Sequence, residues 1–240
     1  TNHGASVLCS ALPSSPVQRR GARIRPMALP LWRPSRDDAA IRWYTHRIVP
    51  VWTAFGLLFI GPGYGFNVWL MDVLDIFGYH NVWSPSGAAV TTAFTVASFS
   101  LGVTSSFVGP WLPRIGARPL YLLGTLGSCL AMVAAGEALK GKSLAGLYLA
   151  WGVLYGVSQG AAFLAVVTSC MSWFRKCGEA GYGAGCIGFS CGLWAALFSY
   201  GGSAAVGAVG LERSFGLCGV VICAAAAWPA LFICMPDEIT

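Results

Sequence analysis

Apolar residues run along the chain in six long blocks separated by short polar breaks. The blocks cover residues 48–77, 87–108, 120–139, 144–174, 182–206 and 215–235. Each is long enough for a helix to cross a hydrocarbon layer about 30 Å thick, which takes about 20 residues. Backbone N–H and C=O groups find no partner in lipid, so a spanning segment must satisfy them internally, as a helix does. Barrel strands would alternate polar and apolar positions, and no block does so. The pattern predicts an all-α, six-helix membrane bundle over 47–236, with a polar tail over 1–46 and a short tail over 237–240. Breaks this short make successive helices antiparallel neighbours. They leave no room for a second soluble domain.

Composition points the same way. Only 10% of the chain is charged and 56% is hydrophobic, where soluble domains carry roughly 25% charged residues. Positive charge is uneven, with eight of the 15 Lys and Arg lying between Arg19 and Arg47, ahead of the first block. No nucleic-acid-binding fold accompanies this run, so a nucleic-acid partner is not expected. The tail is rich in Ser, Ala, Arg and Pro and has no acid before Asp37. That composition suits an organelle-targeting segment, mitochondrial or plastid. A first residue Thr1 fits a processed precursor, a trimmed chain or an incomplete one, and Met27 is an alternative start.

Basic residues also set the orientation. With the amino terminus inside, Arg33, Arg36, Arg42, Arg47, Arg114, Arg118, Arg175 and Lys176 are inside, and only Lys140, Lys142 and Arg213 are outside. The positive-inside rule therefore places both termini on the matrix, stroma or cytosol-like side. Trp43, Trp83, Trp111 and Trp173 fall near block ends, where an amphipathic ring suits the headgroup level. The nine cysteines form neither a C-x-x-C pair nor a cluster with His. They read as small apolar residues. His46 and His80 stand outside the middle of the blocks. No metal and no cofactor is predicted beyond bound lipid.

Small residues recur with helical spacing. Gly152, Gly156 and Gly160 repeat every four residues in the fourth block, and Gly181/Gly185 and Gly188/Gly192 do so in the fifth. A four-residue period puts them on one face, where helix backbones can approach closely. The expectation is a packing face; a sliding surface in a rocking transporter is the sharper alternative.

Between the second and third blocks stands Gly109-Pro110-Trp111-Leu112-Pro113-Arg114-Ile115-Gly116-Ala117-Arg118. This loop resembles the G-x-x-x-D-R-x-G-x-R signature of the major facilitator superfamily, between its second and third helices. Gly109, Arg114, Gly116 and Arg118 match, and Pro113 replaces the family's Asp. Gly63-Tyr64-Gly65-Phe66-Asn67-Val68-Trp69 with Phe77-Gly78, and Trp173-Phe174-Arg175-Lys176, are similar to the monocarboxylate and oxalate/formate branch. The resemblance covers about residues 45–236. It implies the amino-terminal six-helix half of a transporter, whose solute site lies between two such halves. It also implies that helices one and four face the cavity, which makes Tyr64, Asn67, Tyr155, Ser158 and Gln159 the candidate lining residues. The family's gate Asp takes part in charge pairing, so its replacement removes a latch.

Some members of that branch meet a substrate carboxylate with a lysine in the first helix. No Lys or Arg lies in the middle of any block here, and intramembrane charges are the usual marks of anion and proton pathways. Asp72 and Asp75 share a face near the end of the first block and read as interfacial, as does Glu137. No phosphate loop and no catalytic triad is visible, so an enzyme is not expected. Two functions follow. One is a transporter-derived, non-catalytic accessory subunit of a larger organelle membrane complex, held by other membrane subunits and lipid. The other is a small-solute transporter, monocarboxylate-type or other, working as a dimer of six-helix halves. The chain's ending after six blocks is read as favouring the first.

Overall fold

A computed structural model describes residues 38–79, 82 and 84–236. The arginine-rich tail up to residue 37, His80, Trp83 and the tail over 237–240 lie outside the described residues. The described chain is helical throughout. Six helices are long and apolar enough to cross a membrane: Ala39–Ile76, Gly87–Ile115, Ala117–Lys140, Leu144–Lys176, Ala180–Val209 and Leu211–Phe232. They are called spans 1 to 6 below. Each predicted block coincides with one span, the first running one residue and the last three residues past its end.

The boundaries differ from expectation at two places. A helix already runs over Asp38–Arg47, inside the stretch expected to be a polar tail. Its Tyr44 is buried, and Thr45 Oγ1 donates to the Ile41 carbonyl at 2.9 Å. The glycine-framed loop is also mostly helical. Gly109–Trp111 form a 3-10 turn and Leu112–Ile115 a helical turn, so the reversal is confined to Gly116. Gly116 has φ 90° and ψ 154°, a region open essentially only to glycine.

The same backbone solution recurs later. Gly210, alone between spans 5 and 6, has φ 85° and ψ 160°. The turns after spans 1 and 4 match as well. Gly78 and Gly178 are left-handed, with φ 73° and 78°. The residue after each donates back to the helix, Tyr79 N to Leu74 O at 2.9 Å and Glu179 N to Phe174 O at 2.8 Å. That is the Schellman closure of a helix end. Packing repeats the correspondence. Span 1 packs against spans 5 and 6, span 4 against spans 2 and 3, and spans 3 and 6 pack against each other. Spans 1–3 and 4–6 are thus two triplets with matching turns and matching neighbours.

Two buried clusters hold the triplets together. One gathers Tyr44, Trp52, Tyr121, Trp173 and Phe174, and the other Phe66, Trp69, Trp151, Tyr155 and Phe215. Trp173, expected at the headgroup level, is 1% exposed and donates Nε1 to the Cys234 carbonyl at 2.8 Å. Trp43 and Trp111 remain exposed. Spans 2 and 5 are the least buried of the six.

Candidate functional site

Spans 1 and 4 each depart from a regular α-helix near their middles. In span 1, helix Val49–Gly56 stops at Leu57, a 3-10 turn covers Leu58–Ile60, and a new helix runs over Gly61–Ile76. Pro62 explains the restart. It has no N–H to offer the preceding turn, and its fixed φ suits the first turn of a helix. In span 4, Tyr148–Tyr155 is wound as a π-helix before the α-helix from Gly156. Such departures concentrate at functional positions, because they redirect side chains and free backbone groups.

The two breaks meet. Tyr155 donates its hydroxyl to the Phe59 carbonyl in the span 1 break, at 2.7 Å and fully buried. Trp194 of span 5 donates Nε1 to the Ala54 carbonyl one turn earlier. Backbone groups at an irregular point inside a bilayer have to be satisfied by neighbouring side chains, and these two do so. Ser105 of span 2 donates to the Gly160 carbonyl at 3.2 Å, and Tyr148 donates to Ala89 O. The breaks are held from three sides.

Between spans 1, 2 and 4 they leave a cavity of about 210 Å³. Gly63 and Tyr64 line it from span 1, Ser98 from span 2, and Trp151, Tyr155 and Gln159 from span 4. Trp151 and Tyr155 stack at 4.4 Å, and Phe66 stacks on Trp151 at 5.0 Å, which makes that wall flat and rigid. Gln159 is 5% exposed as a residue, and its side-chain amide, which makes no hydrogen bond within the described residues, opens onto the cavity. A methyl at Gly63 would stand 3.1 Å from Gln159 Nε2, so glycine there keeps the amide clear. No charged side chain among the described residues lines the cavity.

Three of the five candidate lining residues, Tyr64, Tyr155 and Gln159, therefore come together. Ser158 does not join them. One residue of helix turns it about 100° away from Gln159. It packs on span 3, where its main chain crowds Gly124 and its hydroxyl Gly127. Asn67 is exposed on span 1 and is not part of the cavity wall. Gly63, Ser98 and Trp151 were not singled out from the sequence. Gly61-Pro62-Gly63, a breaker triplet inside an apolar block, was the available signal for the first.

The glycines divide by position. A Cβ on Gly152 would stand 2.9 Å from Val96, and one on Gly160 would stand 2.7 Å from the Leu101 carbonyl oxygen. Gly156 sits equally tight against Ala97 and Ser100. These three seat span 4 on span 2. Gly181, Gly185, Gly188 and Gly192 have nothing within 4 Å of a built Cβ and pack against no other part of the described chain. Periodicity put them on one face, and that face points out of the bundle.

One residue of the glycine–arginine loop serves the end of span 6. Arg118 Nε donates to the Ile233 carbonyl at 2.6 Å. Tyr44 donates to Phe232 O at 3.0 Å, beside the Trp173 bond to Cys234 O. A helix end leaves its last carbonyls unpaired, and three side chains from three spans satisfy them here. Pro113 and Arg114 are exposed. No protein-family model matches this chain, and no curated protein matches it with significance.

Proposed function

We propose that this chain is a six-helix transporter unit of the major facilitator kind, which seats a small solute between spans 1, 2 and 4. The single observation that carries the reading is the unpartnered amide of Gln159, held in a cavity where two irregular helices meet. The amide opens onto the cavity rather than being sealed in the core, so a solute or water there can meet it. A polar side chain at membrane depth is costly and turns to the bundle interior or a cavity, as Gln159 does. Discontinuous helices around a midplane site, in a bundle of two related triplets, are the recurring design of secondary transporters. The paired glycine turns and the paired helix contacts support the triplet reading, and the glycine–arginine loop supports the family resemblance.

The exposed glycine face of span 5 and the exposed face of span 2 suit a second six-helix unit, because small residues let helix backbones approach in lipid. Leu123 and Leu130 of span 3 and Val220 of span 6 are exposed, and they suit bound lipid. A second reading, an accessory subunit of a larger organelle complex, is favoured by Pro113 in place of a gate Asp and by a cavity without charge. Under that reading the same outward faces dock other subunits.

Uptake into proteoliposomes separates the two. The transporter reading expects saturable uptake of a small solute, lowered about tenfold by Gln159→Leu, as expected when one hydrogen-bond anchor worth about 1.4 kcal/mol is lost. Absence of saturable uptake across charged and uncharged probes, with all the protein migrating in a far larger assembly in mild detergent, would favour the accessory subunit instead.

A further inference from the structure

The cavity restricts the chemistry of what it can hold. The Gln159 amide presents a carbonyl acceptor and an N–H donor side by side, and it carries no charge. Beside it, on the same face of span 4, stands the stacked Trp151–Tyr155 pair. Hydroxyls of Tyr64 and Ser98 also stand at the cavity, and Tyr64 is 59% exposed, at its open side. Of the stacked pair, Tyr155 donates its hydroxyl to the Phe59 carbonyl, and the Trp151 indole N–H is buried with no acceptor among the described residues. Nothing there offers a cation. An anion drawn to this depth without a counter-charge is disfavoured by about 100-fold or more in the binding equilibrium. At about 210 Å³ the cavity is also smaller than the roughly 300–1,000 Å³ of sites for drug-sized ligands.

We propose that this cavity selects a small uncharged solute with adjacent hydrogen-bond donor and acceptor, of the carboxamide type, over the corresponding carboxylate. The inference rests on the solute-seat reading above and names its substrate class. A carboxamide aligns its own N–H and C=O with those of Gln159, forming two hydrogen bonds at once. The carboxylate keeps the acceptors, loses the donor and adds a charge. It gains one bond to Nε2, faces the Gln159 carbonyl oxygen with a second negative atom, and leaves its charge unpaired. Flat walls and narrow space favour a planar head with a short substituent. The loss of the donor and the unpaired charge both act in the same direction.

The test uses the full chain carrying Ser98→Cys, reconstituted in membranes, with alkylation by a small water-soluble maleimide read at residue 98 by mass spectrometry. The probes are acetamide against acetate and lactamide against lactate, at pH 7. The amides are expected to slow alkylation saturably, and the carboxylates to require about 100-fold higher concentration. Gln159→Leu should abolish protection by the amides while alkylation continues, and Gln159→Lys should turn the preference toward the carboxylates. Gly63→Ala leaves position 159 intact and is read if those variants fail to fold. Its methyl, close to Nε2, should weaken lactamide more than acetamide. Equal or better protection by the carboxylates in the unsubstituted background overturns the inference and leaves the solute seat standing. Alkylation without protection by any probe also overturns it. A folded protein in which residue 98 is never alkylated overturns both the inference and the solute seat.

Discussion

Replacing Gly156 by Ala places one methyl group against span 2. The built Cβ stands 2.8 Å from Ser100 Cβ and 3.0 Å from Ala97 Cα, and closer still to the Ala97 carbonyl oxygen. Comfortable carbon contacts begin near 3.5 Å, so spans 2 and 4 must separate by about 1 Å or bend locally. Two of the three obstructing atoms are backbone and cannot rotate away. Overpacking of this kind costs about 1–3 kcal/mol. In a chain of this length each kcal/mol moves a melting temperature by about 2–4 °C. Gly188→Ala is the internal control. It has the same four-residue spacing and nothing within 4 Å, and alanine is the better helix former by about 1 kcal/mol. Thermal unfolding of the purified chain in mild detergent should show a fall of several degrees for Gly156→Ala. It should show no fall, or a small rise, for Gly188→Ala. Equal effects from the two substitutions would refute the argument that span 4 is seated on span 2 through its glycines.

Three further outcomes follow from the same geometry. Tyr155→Phe removes the buried hydroxyl bond to the Phe59 carbonyl and should destabilise by about 1–3 kcal/mol, with faster hydrogen exchange at residues 57–63 than elsewhere in span 1. Gly116→Ala and Gly210→Ala force a side chain into a backbone region that excludes it, about 1–3 kcal/mol each, so both should lower the melting temperature by similar amounts. Six spans and the basic loops predict that both termini lie on one side of the membrane; protease protection of terminal tags in sealed vesicles should report the same side for each.

The six spans were legible because the thickness of a bilayer and the cost of unpaired backbone leave few alternatives to a long apolar helix. The face of Gly152, Gly156 and Gly160 was legible for a related reason, since a four-residue period fixes which residues share a helix face. What lies opposite that face was not legible. Gly181, Gly185, Gly188 and Gly192 have the same period yet meet nothing among the described residues, because periodicity describes one helix and packing needs two. The cavity was half legible. Tyr64, Tyr155 and Gln159 stood out as polar groups in apolar spans, but only the rotation of the helix excludes Ser158 and Asn67. Trp173 illustrates a related difficulty. An indole near a helix end suits the headgroup region, and it equally suits a buried carbonyl at the end of span 6, which is the partner it has. The matching turns at Gly78 and Gly178, and at Gly116 and Gly210, were present as letters. Their equivalence emerged only through their dihedral angles.

The account stands or falls on whether the cavity beside Gln159 is a solvated seat within the membrane. Neighbouring positions on span 2 test this directly. Ser98 lines the cavity, and Phe99, 73% exposed, is not among its lining residues and reads as facing lipid. Ser98→Cys and Phe99→Cys, compared in reconstituted membranes, should react very differently with a charged, water-soluble maleimide, because only a hydrated thiol ionises and meets the reagent. The account predicts labelling at 98, reduced by added solute, and little or none at 99. Equal labelling at both positions, or labelling at 99 alone, would contradict it.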